Sequence, residues 1–555
     1  MTYPALVLAA MLVAGSAGAF AIRTRQYALA GIAGAGLVFW MHSLRYMRYT
    51  SDDSYISYRY ARNFADGIGL VWNRGESVEG YTNFLWVVML AATHKLGADL
   101  VFTGRWLGFA LGLAAIAATY VLARTLAGGE AGRIAGFAAV FLLAVSGPFA
   151  VWASAGLETS LFALLLLAAV LAHIREQDGD APPLSAPLWA LLIMTHPAGA
   201  VPFAVSAAFK LGEAASRIRG ESDRRAALRR HGVPVVIWLG AFAAVYLPYF
   251  AWRYATYGWL FPNTYYAKVG SGLHQYITGL RYLNVFSQEY AIWILLVVPL
   301  AISLGAIRRP PGLYVCALIA AMFAYVVYVG GDGLLRYRFF APMLPLIYAA
   351  STAAVASLAR SIDVRPDIPR WAGYAAPAAA FGALLLFTLH ASSFEVNVRL
   401  ERVTVEERVA MGRWLHANLP GDTLVAVVPA GSIPYESQLP SIDMLGLNDE
   451  HIAHRDLDLR GVIVGHEKYD SEYVLDRAPD IIIINDHLTN RPWRLEDYEV
   501  LRAQVILAIP DMLASPRLNQ EYEPRNVEID DGRWFNVFVR RGEESVLSRT
   551  QPAPP

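Results

Sequence analysis

The feature that most restricts the fold of this chain is a succession of apolar runs, each about as long as a bilayer is thick. A helix needs about 20 mainly apolar residues to cross a membrane, and so many uncharged runs of this length exclude an ordinary soluble protein. The candidate spans are residues 3–22, 27–44, 104–123, 134–151, 157–174, 187–211, 233–252, 289–307, 312–330, 339–359 and 372–391. A shorter run, 82–97, either crosses or lies at the interface. The sequence predicts a polytopic α-helical membrane protein with about 11–12 spans.

Charge divides the chain into two parts. Of its 555 residues, 56% are hydrophobic and 17% are charged, whereas soluble domains carry about 25% charged residues. Residues 1–391 hold 29 basic and 18 acidic side chains, and residues 392–555 hold 17 basic and 28 acidic ones. We therefore predict a transmembrane domain over 1–391 and a soluble domain over 392–555.

The soluble part has the pattern of a small α/β domain. Thr404–Leu419 is amphipathic and ends at a Pro-Gly pair, which predicts a helix. Leu424–Val428 and Ile481–Ile484 are short aliphatic runs typical of strands buried on both faces. Trp534–Val539 is a further predicted strand.

The positions of basic residues predict the orientation in the membrane, because Lys and Arg concentrate in cytoplasmic loops. The basic loops hold Arg23 and Arg25, the stretch Lys210–Arg230, Arg308 and Arg309, and Arg360, Arg365 and Arg370. Placing all four in the cytoplasm puts 45–81, 253–288, 331–338 and everything after 392 on the outer side.

The side on which Glu158 lies depends on two neighbouring segments. Arg124 and Arg133 also favour the cytoplasm, which places Glu158 outside. That assignment requires that 82–97 does not cross and that 187–211 breaks at His196-Pro197. If each of these segments crosses once, Glu158 lies inside.

Several function classes are excluded. The single cysteine, Cys316, permits no intramolecular disulfide and no Cys-based zinc site. The dispersed basic residues do not form a nucleic-acid surface, and Gly67-Ile68-Gly69 lacks the strand–helix context of a nucleotide loop. No His/Asp/Glu spacing indicates a metal site. A cleavable signal peptide is not expected, because residues 1–21 have no basic residue before their apolar stretch.

The first outer loop carries two adjacent carboxylates, Asp52 and Asp53, directly after a span. One interpretation is a helix cap, with Asp52 as the N-cap and Asp53 favoured by the helix dipole. The other is catalytic, since a carboxylate beside a membrane site can act as a general base.

Polar and aromatic residues that suit a sugar follow in the outer loops, because hydroxyls need hydrogen bonds and the C–H face of a sugar packs on rings. The candidate sugar contacts are Tyr55, Asn73, Tyr81, Asn83, Trp86, Asn263, Tyr265, Tyr266 and His196. An aromatic belt at the lipid interface explains the Trp and Tyr residues but not the amides between them. For His196, the more ordinary explanation is a core histidine whose hydrogen bonds are satisfied.

Cations in the same loops suit a phosphodiester, since the planar guanidinium of arginine offers paired charge-assisted hydrogen bonds. The candidate phosphate ligands are Arg59, Arg62, Arg253, Lys268, Arg336 and Arg338. The alternative for each is contact with phospholipid head groups.

Taken together, these motifs resemble the GT-C class of membrane glycosyltransferases, which use polyprenyl-phosphate sugars. The matching segments are Asp52-Asp53 with residues 55–63, residues 79–86, Gly156-Leu157-Glu158-Thr159, residues 262–268, Gly331-Asp332 and residues 443–449. Within this class the chain resembles the AftB group of terminal β-(1→2)-arabinofuranosyltransferases of actinobacterial cell walls. The resemblance implies a decaprenyl-phosphoryl-arabinose donor, a polysaccharide acceptor such as arabinan, a bacterial plasma membrane with the site facing the periplasm, and an acceptor-binding or carbohydrate-binding role for 392–555.

The implied chemistry is transfer at an anomeric carbon. Asp52 or Asp53 takes the proton of the acceptor hydroxyl, and cations stabilise the departing prenyl phosphate. This leaving group is already good, so no cofactor is required, although a divalent metal is left open. The AftB group is thought to retain the anomeric configuration, which calls for a second carboxylate as nucleophile. The candidates are Glu79, Glu158, Asp332 and the other aspartate of the pair.

Three other functions compete with this one. A GT-C enzyme could move another sugar to a surface glycan or protein. A transporter of lipid-linked sugars is a second possibility, but transporters place polar residues mid-span, and here acidic residues gather at the outer ends of spans. A non-catalytic, glycan-binding scaffold is the third.

Overall fold

The structure is a computed structural model of the chain. It describes residues 3–177, 181–270, 272–290, 310–334, 336–363, 382, 396–457, 465–530 and 532–543.

The first part is helical, as its apolar runs predict. Its helices are α1 Tyr3–Thr24, α2 Tyr27–Ser43, α3 Asp52–Ala65, α4 Phe84–Lys95, α5 Leu100–Ala127, α6 Gly129–Val145, α7 Gly147–Ser154, α8 Thr159–Glu176, α9 Ser185–Thr195, α10 Ala200–Gly220, α11 Arg224–Ala227, α12 Val233–Tyr257, α13 Asn263–Lys268, α14 Leu273–Glu289, α15 Pro310–Tyr328 and α16 Leu344–Asp363.

Six helical stretches of the described residues are long and apolar enough to cross a membrane, or seven if the bent pair α6 and α7 is one span. They confirm the polytopic helical class. The predicted span 134–151 is not straight, because α6 and α7 meet at 64°. The predicted spans 289–307 and 372–391 lie outside the described residues except at 289, 290 and 382.

The predicted break of 187–211 is confirmed. Helix α9 ends at Thr195, and a single 3₁₀ turn, Pro197–Gly199, precedes α10. Proline has no N–H to continue the helix, and the His196 Nδ1 accepts the Ala198 N–H at 3.1 Å, which closes the turn. Helix α4 has 12 residues, too few to cross a bilayer. Both conditions for placing Glu158 on the same side of the membrane as Asp52 and Asp53 are therefore met.

The helical part has two chemically different ends. Helix α5 begins beside the acidic loop, where the Arg105 Nε donates to the Thr50 Oγ1 at 2.6 Å. It ends near Arg124 in a groove lined by arginines of α6 and α8. Arg360 reaches the same groove, donating to the Gly128 carbonyl at 2.8 Å. Three of the basic residues used to predict the cytoplasmic face, Arg124, Arg133 and Arg360, therefore lie at the end of α5 opposite the acidic loop.

The second part is an α/β domain built on a five-stranded sheet. Its elements are α17 Val396–Asn418, β1 Val425–Val427, α18 Ser432–Ser437, β2 Ser441–Asp443, α19 Glu450–Ala453, α20 Ser471–Asp476, β3 Ile481–Ile483, a 3₁₀ helix Leu495–Ala503, α21 Ala508–Ala514, α22 Pro516–Glu521, β4 Tyr522–Asp530 and β5 Arg533–Arg540. The strand order is β2-β1-β3-β5-β4. Strand β1 is parallel to β2 and β3, and β5 is antiparallel to β3 and β4. The predicted helix and all three predicted strands are confirmed.

The two parts dock along one face of α3. Residues 52, 55, 59 and 62 follow the i, i+3, i+7, i+10 spacing of a single helix face, and each contacts the C-terminal domain. Arg59 is buried and donates hydrogen bonds to the carbonyl oxygens of Pro434 and, at 2.8 Å, Leu439. We call this set of contacts the domain joint.

A loop before α4 completes the domain joint. Gly80 packs so closely on Asn448 that an added Cβ would overlap the Asn448 Oδ1. Asn448 has little freedom to move, because its Nδ2 donates to the Asp443 carboxylate at 3.0 Å and its Oδ1 accepts from the Tyr60 hydroxyl at 3.3 Å.

Replacing Gly80 with alanine tests this joint. We expect Gly80→Ala to lower the free energy of unfolding by about 1–3 kcal/mol, the usual effect of overpacking, and to lower the thermal midpoint of the detergent-solubilised protein. Gly240→Ala on α12 is the matched control, since nothing lies within 4 Å of its added Cβ. Equal midpoints for the two variants would show that the loop is not held against Asn448.

Candidate active site at the junction of the two domains

A cavity of about 1020 Å³, counting its open mouth, lies where α3, the loop before α4, the turn before α8, α13 and the loop after α15 meet. Its polar and charged wall consists of Asp53, Ser57, Thr82, Asn83, Glu158, His196, Thr264, Lys268, Asp332 and Arg338. Its rings are Tyr81, Phe261, Tyr265, Tyr325 and Phe339.

A second, apolar cavity of about 450 Å³ adjoins the first. Its own wall is formed mainly by Phe162, Ala198, Met322, Val326 and Pro342. The two cavities share Glu158, His196, Tyr325, Arg338 and Phe339. A ligand with a charged centre and an apolar arm would therefore find its charge at Arg338 and its arm among α8, the 3₁₀ turn Pro197–Gly199 and α15.

Arg338 organises the charged wall. Its Nε and Nη2 donate to the two oxygens of Asp332 at 2.9 and 3.0 Å, and its Nη1 lies 3.5 Å from the Asp53 Oδ2. Burial alone would lower the pKa of Arg338, but the nearby carboxyl groups of Asp332, Asp53 and Glu158 raise it. The guanidinium therefore stays charged and is held in one orientation by Asp332.

Asp53 is the carboxylate that faces the cavity. Burial would raise its pKa, but the charges of Lys268 and Arg338, with those of His466 and Arg408, outweigh that effect and lower it. Asp53 is therefore ionised at neutral pH, as a general base must be.

Asp52 has a different environment. It does not cap α3, because the N-cap is Ser51 and the helix begins at Asp52 itself. Its Oδ1 accepts the backbone N–H of Ser432 at 3.1 Å and the Ser432 hydroxyl at 2.6 Å, and its Oδ2 lies 3.4 Å from the Arg408 Nη1. The interpretation of Asp52 as a helix cap is therefore corrected: it anchors the C-terminal domain.

Glu158 lies in the turn immediately before α8 and lines the cavity. Asn83 donates to its Oε2 at 2.6 Å and also bonds the Ser57 hydroxyl at 3.0 Å. Burial raises the pKa of Glu158, and the charge of Asp53 adds to that effect, while Arg338 and Asn83 oppose it. Glu158 thus lies on the same face as Asp53, and the environments of the two carboxyl groups separate their pKa values.

Nine of the residues predicted from sequence line the cavity. They are Asp53, Tyr81, Asn83, Glu158, His196, Tyr265, Lys268, Asp332 and Arg338. The others lie elsewhere and have structural partners.

Two predicted phosphate ligands belong to the domain joint instead. Arg59 donates four hydrogen bonds, to the carbonyl oxygens of Trp72, Pro434 and Leu439 and to the Asn73 Oδ1. Arg62 donates to the Tyr435 carbonyl at 3.0 Å and lies over the Tyr435 ring at 4.6 Å. Neither lines the cavity.

Arg253 and Glu79 form a buried ion pair outside the cavity. The Arg253 Nη2 lies 2.6 Å from the Glu79 Oε2, and the two side chains are 4% and 3% exposed. Neither side chain lines the cavity, and each charge is already paired with the other.

Arg336 is separated from the cavity by its backbone conformation. Arg336 and Tyr337 both have positive φ, 62° and 56°, which is uncommon for residues with a side chain. The Arg336 carbonyl accepts from the Trp152 Nε1 at 2.9 Å. Arg338, two residues later, lines both cavities, whereas Arg336 lines neither.

Five predicted sugar contacts lie outside the cavity, each with a partner of its own. Tyr55 packs on Tyr58 and Tyr435, Asn73 bonds Ser441, Trp86 donates to Gly156, Asn263 bonds the backbone around Leu447, and Tyr266 stacks on His454. Asn73 and Asn263 add to the domain joint because their amides bind backbone groups of the other domain.

Two side chains that interact with Asp52 or Asp53 were not predicted from the sequence. Arg408 of α17 forms the ion pair with Asp52 and also bonds Asp486. His466 belongs to the C-terminal domain, and its charge would lower the pKa of Asp53. Both lie more than 350 residues from the acidic loop, so no local pattern connects them to it.

Within the ranges that the structure describes, no group of three or more His, Cys, Asp or Glu side chains is arranged to hold a metal ion.

The architecture matches solved membrane glycosyltransferases of the GT-C class. ArnT from Cupriavidus metallidurans bound to undecaprenyl phosphate aligns with a TM-score of 0.53 and 15% identity, covering 92% of this chain and 98% of that one. Its apo state aligns with a TM-score of 0.54 and 14% identity, covering 94% and 98%. The chain therefore has the GT-C fold, and the resemblance seen in its motifs is confirmed.

The chain is also similar in sequence to a curated protein. Over 323 residues the chain is 26% identical to the terminal beta-(1->2)-arabinofuranosyltransferase of Mycobacterium tuberculosis, covering 52% of this chain and 48% of that protein. The chain thus spans about half the length of the curated relative it matches. Residues 397–538 match a family model described as a domain of unknown function, DUF8728.

Proposed function

We propose that this protein is a membrane glycosyltransferase that transfers arabinofuranose from a polyprenyl-phosphate donor to a cell-wall polysaccharide on the outer side of the plasma membrane. The observation that carries the proposal is the pair of adjoining cavities, one polar with Lys268 and Arg338 and one apolar, which meet at Arg338. The GT-C fold and the similarity to a terminal arabinofuranosyltransferase support the same activity.

The donor would occupy both cavities. Lys268 and Arg338 bind its phosphate and stabilise the charge that grows as the sugar–phosphate bond breaks. The first isoprene units lie in the apolar cavity, where burial of their surface contributes about 25 cal/mol per Å². The sugar faces Asp53, Asn83 and Glu158.

Asp53 would act as the general base. It takes the proton of the acceptor hydroxyl as that oxygen attacks the anomeric carbon and the prenyl phosphate leaves with the bonding electron pair. Two carboxyl groups whose environments push their pKa values apart divide the acid and base roles between them. Glu158, with the raised pKa, would then hydrogen-bond a sugar hydroxyl and not act as the nucleophile. This single displacement inverts the anomeric configuration, in contrast to the retention that the AftB resemblance implies.

Single substitutions of the two aspartates separate their roles. We expect Asp53→Asn to lower transfer by about 10²–10⁴-fold, the usual contribution of a general base, without changing thermal stability. Asp52→Asn still accepts from Ser432 but loses its charge opposite Arg408, so its main effect should be on stability. Transfer rates and thermal midpoints of both variants decide this. A fully active Asp53→Asn variant together with an inactive but stable Asp52→Asn variant would assign the base to Asp52.

The pH profile tests the charge environment of Asp53. Because Lys268 and Arg338 lower its pKa, kcat/KM should fall on the acidic side only below the range usual for an aspartate. In Arg338→Gln one of these cations is lost, so the pKa of Asp53 rises and the acidic limb moves to higher pH. Arg413→Gln is the control, since Arg413 is 69% exposed and pairs only at the surface with Glu436. An acidic limb that stays in place in Arg338→Gln would contradict the assignment.

The sugar is tested by competing donors. Purified protein is given synthetic prenyl phosphates that carry β-arabinofuranose, mannose or glucose, with an arabinofuranosyl oligosaccharide as acceptor, and the products are separated by mass. We expect transfer from the arabinofuranose donor and little from the others. If mannose or glucose is preferred, the protein is still a glycosyltransferase, but its substrate differs from the one proposed. If the donor is transported and no sugar is transferred, the protein is a transporter and the proposal is wrong.

A further inference from the structure

A short loop beside the cavity mouth exposes three large apolar side chains in succession. Trp259, Leu260 and Phe261 are 38%, 61% and 47% exposed. Single exposed apolar residues are ordinary, but a contiguous set marks a surface that binds something. The loop connects α12 to α13 and lies outside the spanning stretch Arg224–Tyr257.

The loop is fixed from within by the buried ion pair described above. The Arg253 Nη1 donates to the carbonyl oxygens of Trp259 and Leu260, each at 3.0 Å, while its Nε and Nη2 bind Glu79. Removing two charges from water is costly, so a buried ion pair is a weak source of stability. Its clear structural effect here is to hold the backbone that carries the exposed side chains.

Rings of both domains extend the loop into a continuous surface. His454 of the C-terminal domain lies 4.0 Å from the Trp259 ring and 4.3 Å from the Tyr266 ring, measured between centroids. Phe261 lies 4.5 Å from Tyr265, and both of these rings also line the polar cavity. We call Trp259, Phe261, Tyr265, Tyr266 and His454 the aromatic platform.

We propose that the aromatic platform binds the sugar units of the polysaccharide acceptor that lie behind the reacting end. This inference rests on the proposed function, because it needs an acceptor longer than one sugar. The platform begins in the cavity wall, where the reacting hydroxyl must lie, and continues onto the C-terminal domain. A chain of sugars follows such a path, with C–H faces packed on rings and hydroxyls free to reach polar groups.

Contact with lipid explains the platform less well. An aromatic belt surrounds spanning helices at the bilayer surface, whereas this platform includes a histidine of the α/β domain. Beside it, Glu450 and Asn263 line a small groove with Trp259 and Phe261, and a carboxylate and an amide suit hydroxyls better than acyl chains.

The test compares acceptors of different length. In Trp259→Ala we expect the KM for an arabinofuranosyl hexasaccharide to rise about 3- to 10-fold, the effect of losing one aromatic contact, while the KM for a disaccharide acceptor and for the donor stay unchanged. Trp259→Phe should recover part of the loss. The control is Phe102→Ala on α5, an exposed ring, 61% accessible, beside Trp106 and not part of the platform.

Direct binding of the hexasaccharide, followed by calorimetry on the purified full chain without donor, separates this inference from the proposed function. Wild-type binding that is weakened in Trp259→Ala supports the platform even if no sugar is transferred. Equal KM changes for both acceptors, equal effects of Trp259→Ala and Phe102→Ala, or no binding to the wild type would overturn it.

Discussion

The docking of the C-terminal domain along one face of α3 is the interaction on which the site depends. Asp52, Tyr55, Arg59 and Arg62 lie on that face and contact the other domain. The planar guanidinium of Arg59 donates to the carbonyl oxygens of Pro434 in α18 and of Leu439 just before β2. Successive residues of a helix point about 100° apart, so the same docking turns Asp53, Ile56 and Ser57 towards the cavity. The docking of the two domains therefore also determines which side chains of α3 form the cavity wall.

The acid pair shows how this geometry gives two adjacent, chemically identical residues different roles. Asp52 is neutralised by Arg408 and hydrogen-bonded by Ser432, so its oxygens are occupied. Asp53 is 28% exposed and keeps a charge that Lys268 and Arg338 stabilise without enclosing it. A general base needs both an ionised oxygen and access to a substrate, and the role proposed for Asp53 rests on its lowered pKa and its place in the cavity wall.

Sequence patterns predicted the membrane class, the α/β domain and its strands, the break at His196 and the main residues of the cavity wall. These follow from hydrophobic periodicity and from residue chemistry, which are local. The sequence did not distinguish Arg338 from Arg59, because both are arginines in polar segments beside spans. The two arginines differ in the residues that they contact. The partners of Arg59, Pro434 and Leu439, lie more than 370 residues away along the chain, so no local pattern identifies them. The spacing of residues 52, 55, 59 and 62 is that of a single helix face, and it is therefore a local sequence signal for the docking surface.

The short helix α13 also contributes to more than one part of the structure. Asn263 and Ala267, four residues apart, are buried, and Asn263 holds the C-terminal domain through the Leu447 carbonyl. Thr264 and Lys268, again four apart, line the cavity. Tyr266 lies between these two stripes and stacks on His454. This short helix therefore connects the domain joint, the Lys268 side chain in the cavity wall and the aromatic platform. A movement of the C-terminal domain on α13 would alter all three together.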